Sequence, residues 1–404
     1  MRHRASRTIL FCAMVAVASA QTATPAVTAP ALATKPVDER FVTAFLRPGT
    51  FPSLLVPRVT VALSSDGVTW TDAMFPSLSG TNPVFTGGVA VCGSADGQKL
   101  SVFLTSRPAG AILATEGVVA NGVVSWSPAR WLPAADPESA PSCTYLPDDV
   151  RIVVYRSGST VIAQLYDGGD QFFQQALPQM NNFASGRPSV TSVGGKAIVA
   201  WRRGAPGCAD VVLAQGEYTT HGQHSLFSFT AGGFTLALDD SHTGACTTED
   251  PALGSDGSRF YVAVIQEQSS TGVLHGWDTI VYGSLGPELY SGLAVLPWQI
   301  PCGNRSQSNL NIAFKEDRTI LAAAVLRSGD ASVPVSCLGR PTTADSLSWQ
   351  DTGRSPFLDK TDVLYVTQFA VSRIGPRRVP DFQQLAPSRL KVPQLGIKEG
   401  TPPH

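Results

Sequence analysis

The sequence predicts an all-β fold, a β-propeller of six four-stranded blades, and three observations carry that expectation. One hairpin pattern recurs along the chain. The composition is turn-rich and weakly charged, with 37 Gly, 30 Pro and 15% charged residues against an ordinary ~25%. No stretch shows the apolar period of a helix of normal length. The hairpin is clearest at Arg187–Gly204, RPSVTSVGGKAIVAWRRG, where two β-prone runs meet at Gly194-Gly195. Both central positions of a two-residue hairpin turn need positive φ, which glycine supplies without steric cost.

The second run of this hairpin starts at Lys196. Equivalent runs start at Arg40, Lys99, Arg151, Arg259 and Thr319, giving separations of 59, 52, 45, 63 and 60 residues. Each is apolar and β-branched, and most end in Arg followed closely by Gly. Matching first strands are expected at Ala90–Gly93, Ser142–Leu146, Arg187–Val190, Asp250–Leu253 and Leu310–Phe314, with further turns at Asp96-Gly97 and Asp256-Gly257. A period of ~40–60 residues holding about four short strands is the signature of a propeller, whose blades cover one another's apolar faces. Six starts argue for six blades, with five or seven as the alternatives. The run at Arg40 lacks a hairpin partner before it, and Asp362–Val371 is an orphan strand at the far end. That strand is expected to complete the first blade and remove its open edge.

In chain order, residues 1–20 read as a secretory signal: basic Arg2, Arg4 and Arg7, an apolar Ile9–Val17, and an Ala18-Ser19-Ala20 cleavage site. The apolar run is shorter than the ~20 residues of a membrane span, and no later run is long enough. Removing this leader takes the net charge from −1 to −4. Residues 21–37 are an Ala/Thr/Pro-rich flexible leader, residues 38–372 the propeller, and residues 373–404 a Pro-rich basic tail. A secreted monomer is expected, extracellular or periplasmic, with neither a nucleic-acid footprint nor a polybasic membrane patch.

Six Cys remain after the signal: Cys92, Cys143, Cys208, Cys246, Cys302 and Cys337. An even number behind a signal argues for three disulfides, although six Cys permit fifteen pairings. Cys92 and Cys143 fall in inner strands of consecutive repeats and are the first expected pair. Cys208 and Cys246 fall on one face, which leaves Cys302 with Cys337. No metal-ligand spacing occurs among these Cys and the histidines, and no cofactor is expected.

Ser64-Ser65-Asp66-Gly67-Val68-Thr69-Trp70 follows an apolar run, and Thr343-Ala344-Asp345-Ser346-Leu347-Ser348-Trp349 repeats its T-x-D-x-x-x-W spacing. Asp167-Gly168-Gly169 is a weaker echo. These turns resemble the Asp-box (BNR repeat) of the sialidase-like propeller superfamily. The resemblance implies a structural part for Ser64, Asp66, Trp70, Thr343, Asp345 and Trp349: the Asp accepts N–H bonds across a turn between third and fourth strands, and the Trp packs between blades. The F/Y-R-I-P tetrapeptide of sialidases does not occur, so the resemblance bears on fold more than on activity.

Strand polarity places the start of each first strand and the end of each second strand on one face. That face is expected to collect Arg187, Arg202, Arg203, Arg156, Arg107, Arg47 and Arg327, a set of forked donors suited to an acidic sugar. The bland counterpart is that each Arg satisfies carbonyls or pairs within its own blade. Glycoside hydrolysis needs two carboxylates ~5–9.5 Å apart, and Asp250 with Glu267 are the candidates. His221, His224, Asp239, Asp240 and His242 are placed in a long solvated excursion. Two main functional readings follow: a secreted propeller that binds carbohydrate or another extracellular ligand on its loop face, or an exo-acting glycoside hydrolase or lyase. A protein-recruiting scaffold is a third.

Overall fold

The computed structural model describes residues 39–47, 58–74, 84–107, 111–120, 123–134, 136–167, 170–177, 184–204, 209–221, 224–229, 233–236, 247, 249–270, 273–296, 298, 300–301, 307–328, 331–343, 346–354 and 369–375. Residues 1–38, most of residues 373–404, Cys208, Cys246, Cys302, Asp239, Asp240, His242 and Asp345, among them the stretches expected to be signal, leader and tail, lie outside these residues.

The described strands form six antiparallel sheets. From inner to outer strand, the first holds Phe369–Ile374, Arg40–Arg47, Arg58–Ser64 and Thr71–Met74. The second holds Val84–Gly93, Lys99–Arg107, Ala111–Ala120 and Val123–Trp126. In the third are Ser142–Tyr145, Arg151–Ser157, Thr160–Asp167 and Asp170–Ala176, and in the fourth Ala184–Val193, Lys196–Arg203, Asp210–His221 and His224–Phe229. The fifth holds Ala252–Ser255, Phe260–Ser270, Val273–Ser284 and Leu293–Leu296. Gln307–Phe314, Ile320–Ser328, Ala331–Pro341 and Leu347–Arg354 make the sixth. Each inner strand touches the next, and the inner strand of the sixth touches Phe369–Ile374 of the first. The result is a β-propeller.

Uniform four-stranded sheets are corrected: Arg130–Pro133 adds a fifth strand to the second sheet and Phe234–Leu236 one to the fourth, each pairing with the third strand beyond the end of the fourth. Those third strands are long, 10 and 12 residues, and their outer edges are covered only in part by outer strands of 4 and 6 residues. The exposed remainder of the ladder takes the extra strand, as an unpaired edge favours.

The repeated second strands are apolar on both faces because each sheet is sandwiched between two neighbours. Ala197, Ile198, Val199 and Ala200 have no exposed surface. Every junction between adjacent sheets has its own apolar cluster. Val42, Val61, Val91 and Leu104 fill the first–second junction, and Phe103, Tyr145 and Tyr155 the second–third. Ile152, Val199 and Phe229 occupy the third–fourth, Ile198, Leu213 and Val262 the fourth–fifth. Tyr261, Ile312 and Phe314 pack at the fifth–sixth, where Tyr261 stacks on Phe314 at 4.2 Å. Phe41, Ala313, Leu321 and Leu338 close the sixth onto the first. At ~1.5–3 kcal/mol per large side chain removed from water, these seams hold the ring together.

The Gly194-Gly195 turn has φ of 55° and 80° and joins Val193 to Lys196 as a two-residue hairpin loop. Ser-Asp turns recur at the same hairpin elsewhere: Asp96 accepts from Ser94 Oγ and from Gln98 N, and Asp256 from Ser258 N and Arg259 N at 2.9 Å. At Ser64–Trp70, which links third and fourth strands, Asp66 Oδ1 accepts from Val68 N at 2.8 Å and Thr69 N at 2.7 Å. Although what burial there is favours the neutral acid, these N–H donors and Ser64 hold the Asp66 carboxyl down at about 2. Trp70 packs on the sixth–first cluster. In the second such turn Thr343 Oγ1 lies 2.6 Å from Ser346 Oγ, and Trp349 faces Gly339 across the strand pair. Cys92 and Cys143 form a disulfide between the inner strands of the second and third sheets, with Cα atoms 5.7 Å apart. Cys337 is disulfide-bonded as well.

Candidate functional site

The expected arginine face divides. Arg47, Arg107 and Arg327 sit at or next to the ends of their second strands, but their side chains lie outside the described set, as does that of Glu267, whose backbone is opposite Trp277. Arg203 is corrected. Its guanidinium turns outward and donates to Asp210 at 2.9 Å and Thr235 at 3.1 Å, within its own sheet, because successive strand residues point to opposite faces. His221 and His224 are corrected too: they pair across adjacent strands and do not lie in a loop excursion.

Arg156, Arg187, Arg202 and Asp250 are brought together around Gly186. Arg202 Nε donates to Asp250 Oδ1 at 2.8 Å, with side chains only 16% and 17% exposed. The Arg187 backbone N–H also donates to the Asp250 carboxylate. From the third sheet, Arg156 Nε donates to the Gly186 carbonyl at 3.2 Å while its Nη1 pairs with Glu138 at 2.8 Å. Gly186 has φ of 71°, and a Cβ there would stand 2.5 Å from Arg202 Nη2 and 2.8 Å from Asp250 Cγ. The glycine lets the pair press onto the backbone.

Asp250 was expected to begin an inner strand. The ladder instead begins at Ala252, opposite Ala263, because Pro251 has no N–H to donate. Asp250 thus lies in the lead-in, where it ties the fourth sheet to the fifth. Burial pushes its carboxyl above the usual carboxylate range, against the opposing charges of Arg202 and Arg187. Among the described residues, the groups acting on it are cations and N–H donors. That is the environment of a structural ion pair. A glycosidase acid would need a partner acid across a sugar.

Arg187 is different. It is partly buried, and among the described residues its guanidinium has no hydrogen-bond or ion-pair partner within bonding distance. Burial pulls its pKa down to about 10, with Asp250 opposing, so it is still protonated at neutral pH. It lines a cavity on the ring axis to which all six inner strands contribute: Ala90, Ser142, Thr144, Ser189, Thr191, Gly254, Asn311 and Ser372 stand around it. Among the described lining residues Arg187 alone is charged. Next to it the orphaned Ser185 Oγ is buried without a partner among the described residues.

A second feature was missed in the sequence. Phe234, on the fifth strand of the fourth sheet, meets Tyr290, in the 3-10 turn Leu289–Ser291 between the third and fourth strands of the fifth sheet, edge-on, with ring centroids 4.9 Å apart and planes at 77°. They are 40% and 53% exposed, and Leu285 beside them is 44% exposed. The sequence signal was available: both aromatics lie in Gly/Ser-rich turn segments, outside the apolar runs of the repeats. Close by, Lys196 pairs with Glu288 at 2.6 Å, two residues before Tyr290, and with Glu217 at 3.8 Å.

No protein-family model matches the chain, and no curated protein matches it in sequence. Among solved structures, the chain is similar to the Aleuria aurantia lectin AAL in complex with Fucalpha1-6GlcNAc, at 10% identity and a TM-score of 0.45, over 72% of this chain and 86% of that one. It is also similar to the SapL1 lectin in complex with alpha methyl fucoside, at 12% identity and 0.41, over 78% and 97%. NanB bound to Optactamide is a third, at 10% and 0.41, over 70% and 63%.

Proposed function

We propose that this chain is a secreted, monomeric propeller that binds carbohydrate, with each of the six sheets counted as one blade and Cys208–Cys246 and Cys302–Cys337 completing its disulfides. We read Ser64–Trp70 as an Asp-box-type turn that serves the fold. The observation that carries the binding reading is the exposed Phe234–Tyr290 pair, built from two neighbouring sheets. Two aromatic side chains about half exposed offer roughly 200 Å² of apolar surface, far below the ~800 Å² per partner of a standard protein interface. That area suits the C–H face of a sugar ring or two. The flanking Lys196, Glu217 and Glu288 supply charged donors and acceptors for hydroxyls.

Hydrolysis is the less supported reading, since Asp250 is engaged by Arg202 and by the Arg187 N–H. A glycan array on the full chain tests the proposal, with Phe234→Ala/Tyr290→Ala alongside. Binding by the wild type and loss of at least tenfold in the variant are expected. An array without a hit, or hits that survive both substitutions, would refute it.

A further inference from the structure

We propose that the axial cavity is a binding site for a small oxyanion, held by the Arg187 guanidinium and the hydroxyls of Ser142 and Ser189. The proposal is independent of the carbohydrate reading and rests on three observations about donors.

The first is Arg187, which lines the cavity and whose guanidinium has no hydrogen-bond partner within bonding distance among the described residues. A partly desolvated guanidinium with no protein acceptor among the described residues is matched by an oxyanion in the fork geometry that guanidinium prefers. Asp250 does not fill this role, because its carboxylate is already committed to Arg202 Nε and to the Arg187 backbone.

The second observation concerns two serines on the inner strands. Ser142 Oγ accepts from Val190 N at 3.1 Å, and Ser189 Oγ accepts from Leu253 N at 3.0 Å. Each hydroxyl therefore accepts one bond from the next sheet while, among the described residues, its own proton has no acceptor. Both serines line the same cavity as Arg187, which lies two residues before Ser189 in the bulged stretch of that strand. Two O–H donors and an arginine thus line one cavity, with no carboxylate among its described lining residues.

The third is size. The cavity encloses about 60 Å³, above the ~10–15 Å³ that one water needs. It has room for a tetrahedral or planar oxyanion. The shared chemistry is an oxyanion, which has two sources: a free inorganic anion such as phosphate or sulfate, or the carboxylate of an acidic sugar reaching into the channel mouth.

The test is calorimetric titration and thermal unfolding of the full chain with sodium phosphate, sodium sulfate, glucuronate and, as a neutral control, glucose. A saturable response to at least one of the three anions and none to glucose is expected. At about a hundredfold excess over Kd the midpoint should rise by about 5 °C. Arg187→Gln should lose that rise and weaken binding at least tenfold, Arg187→Lys should keep part of it, and Arg203→Gln, whose partner is Asp210, should keep all of it. In anion-free buffer Arg187→Gln is expected to keep a single cooperative unfolding transition close to that of the wild type, since Arg202 still holds the Asp250 carboxylate, so loss of binding is separable from loss of fold. A response to inorganic anions assigns the free source, and one confined to glucuronate assigns the sugar carboxylate. No saturable response to any of the three, or the same rise in Arg187→Gln, overturns the proposal. Phe234→Ala/Tyr290→Ala should leave the anion response intact, so this site and the carbohydrate reading fail separately.

Discussion

Gly186→Ala should destabilise the protein far more than a glycine-to-alanine change usually does. Two costs combine. At φ of 71° a Cβ meets the backbone strain of the left-handed region, about 1 kcal/mol. The new methyl would also stand 2.5 Å from Arg202 Nη2 and 2.8 Å from Asp250 Cγ, so the ion pair must move. Breaking a fully buried pair costs ~3–5 kcal/mol. Because this pair is about one-sixth exposed and would shift without vanishing, about 2 kcal/mol is the reasonable share. The total is about 3 kcal/mol. Gly158 is the internal control: its φ is 57°, and a Cβ there meets nothing within 4 Å, so Gly158→Ala should cost only about 1 kcal/mol. Urea unfolding of the two variants measures the difference. In an Asp250→Ala background the excess at Gly186 should disappear, leaving the backbone share alone. Equal losses for the two glycines, or an excess that persists without Asp250, would refute the idea that this backbone is fitted to the pair.

Replacing Cys92 and Cys143 together by Ala should lower stability by about 4 kcal/mol, the chain-entropy value for a cross-link spanning 51 residues, as read by urea midpoints against the wild type. A loss below about 1 kcal/mol would show that the junction between the second and third sheets holds without its bridge. For Asp66 the folded pKa lies near 2, below the unfolded value, so its contribution is complete above pH ~4 and is lost as the pH falls through 2. Because the carboxyl is exposed, solvent screening reduces that contribution to about 1 kcal/mol. Asp66→Asn should flatten this limb of the stability–pH curve, and an unchanged slope would contradict the assignment.

The repeat was legible because it is written in backbone chemistry. Lys99, Arg151 and Lys196 begin second strands where the spacing placed them, and Phe260 and Ile320 begin theirs one residue after the expected starts at Arg259 and Thr319. Two-residue glycine turns and runs apolar on both faces depend on local sequence alone. The ends of inner strands were less legible: Pro251 displaced the start of the fifth sheet's ladder, and Ala184–Val193 extends three residues earlier than expected. Side-chain direction was least legible. Arg202 and Arg203 are neighbours in sequence, yet one turns to Asp250 and the other to Asp210. Phe234 and Tyr290 are 56 positions apart, and only the packing of two sheets brings them together.

The strand Phe369–Ile374 lies against Arg40–Phe45, so the last described strand is the inner neighbour of the first. During synthesis from the N-terminus, the Arg40–Arg47 strand must therefore wait, with one edge unsatisfied, until more than 320 further residues have left the ribosome. The other five sheets draw all their strands from contiguous sequence and can form as they emerge. Completion of the circle is then a single late event of very long sequence separation, the kind that folds slowly. A chain ending before Phe369 would keep nearly every strand and still present a permanent adhesive edge to other chains.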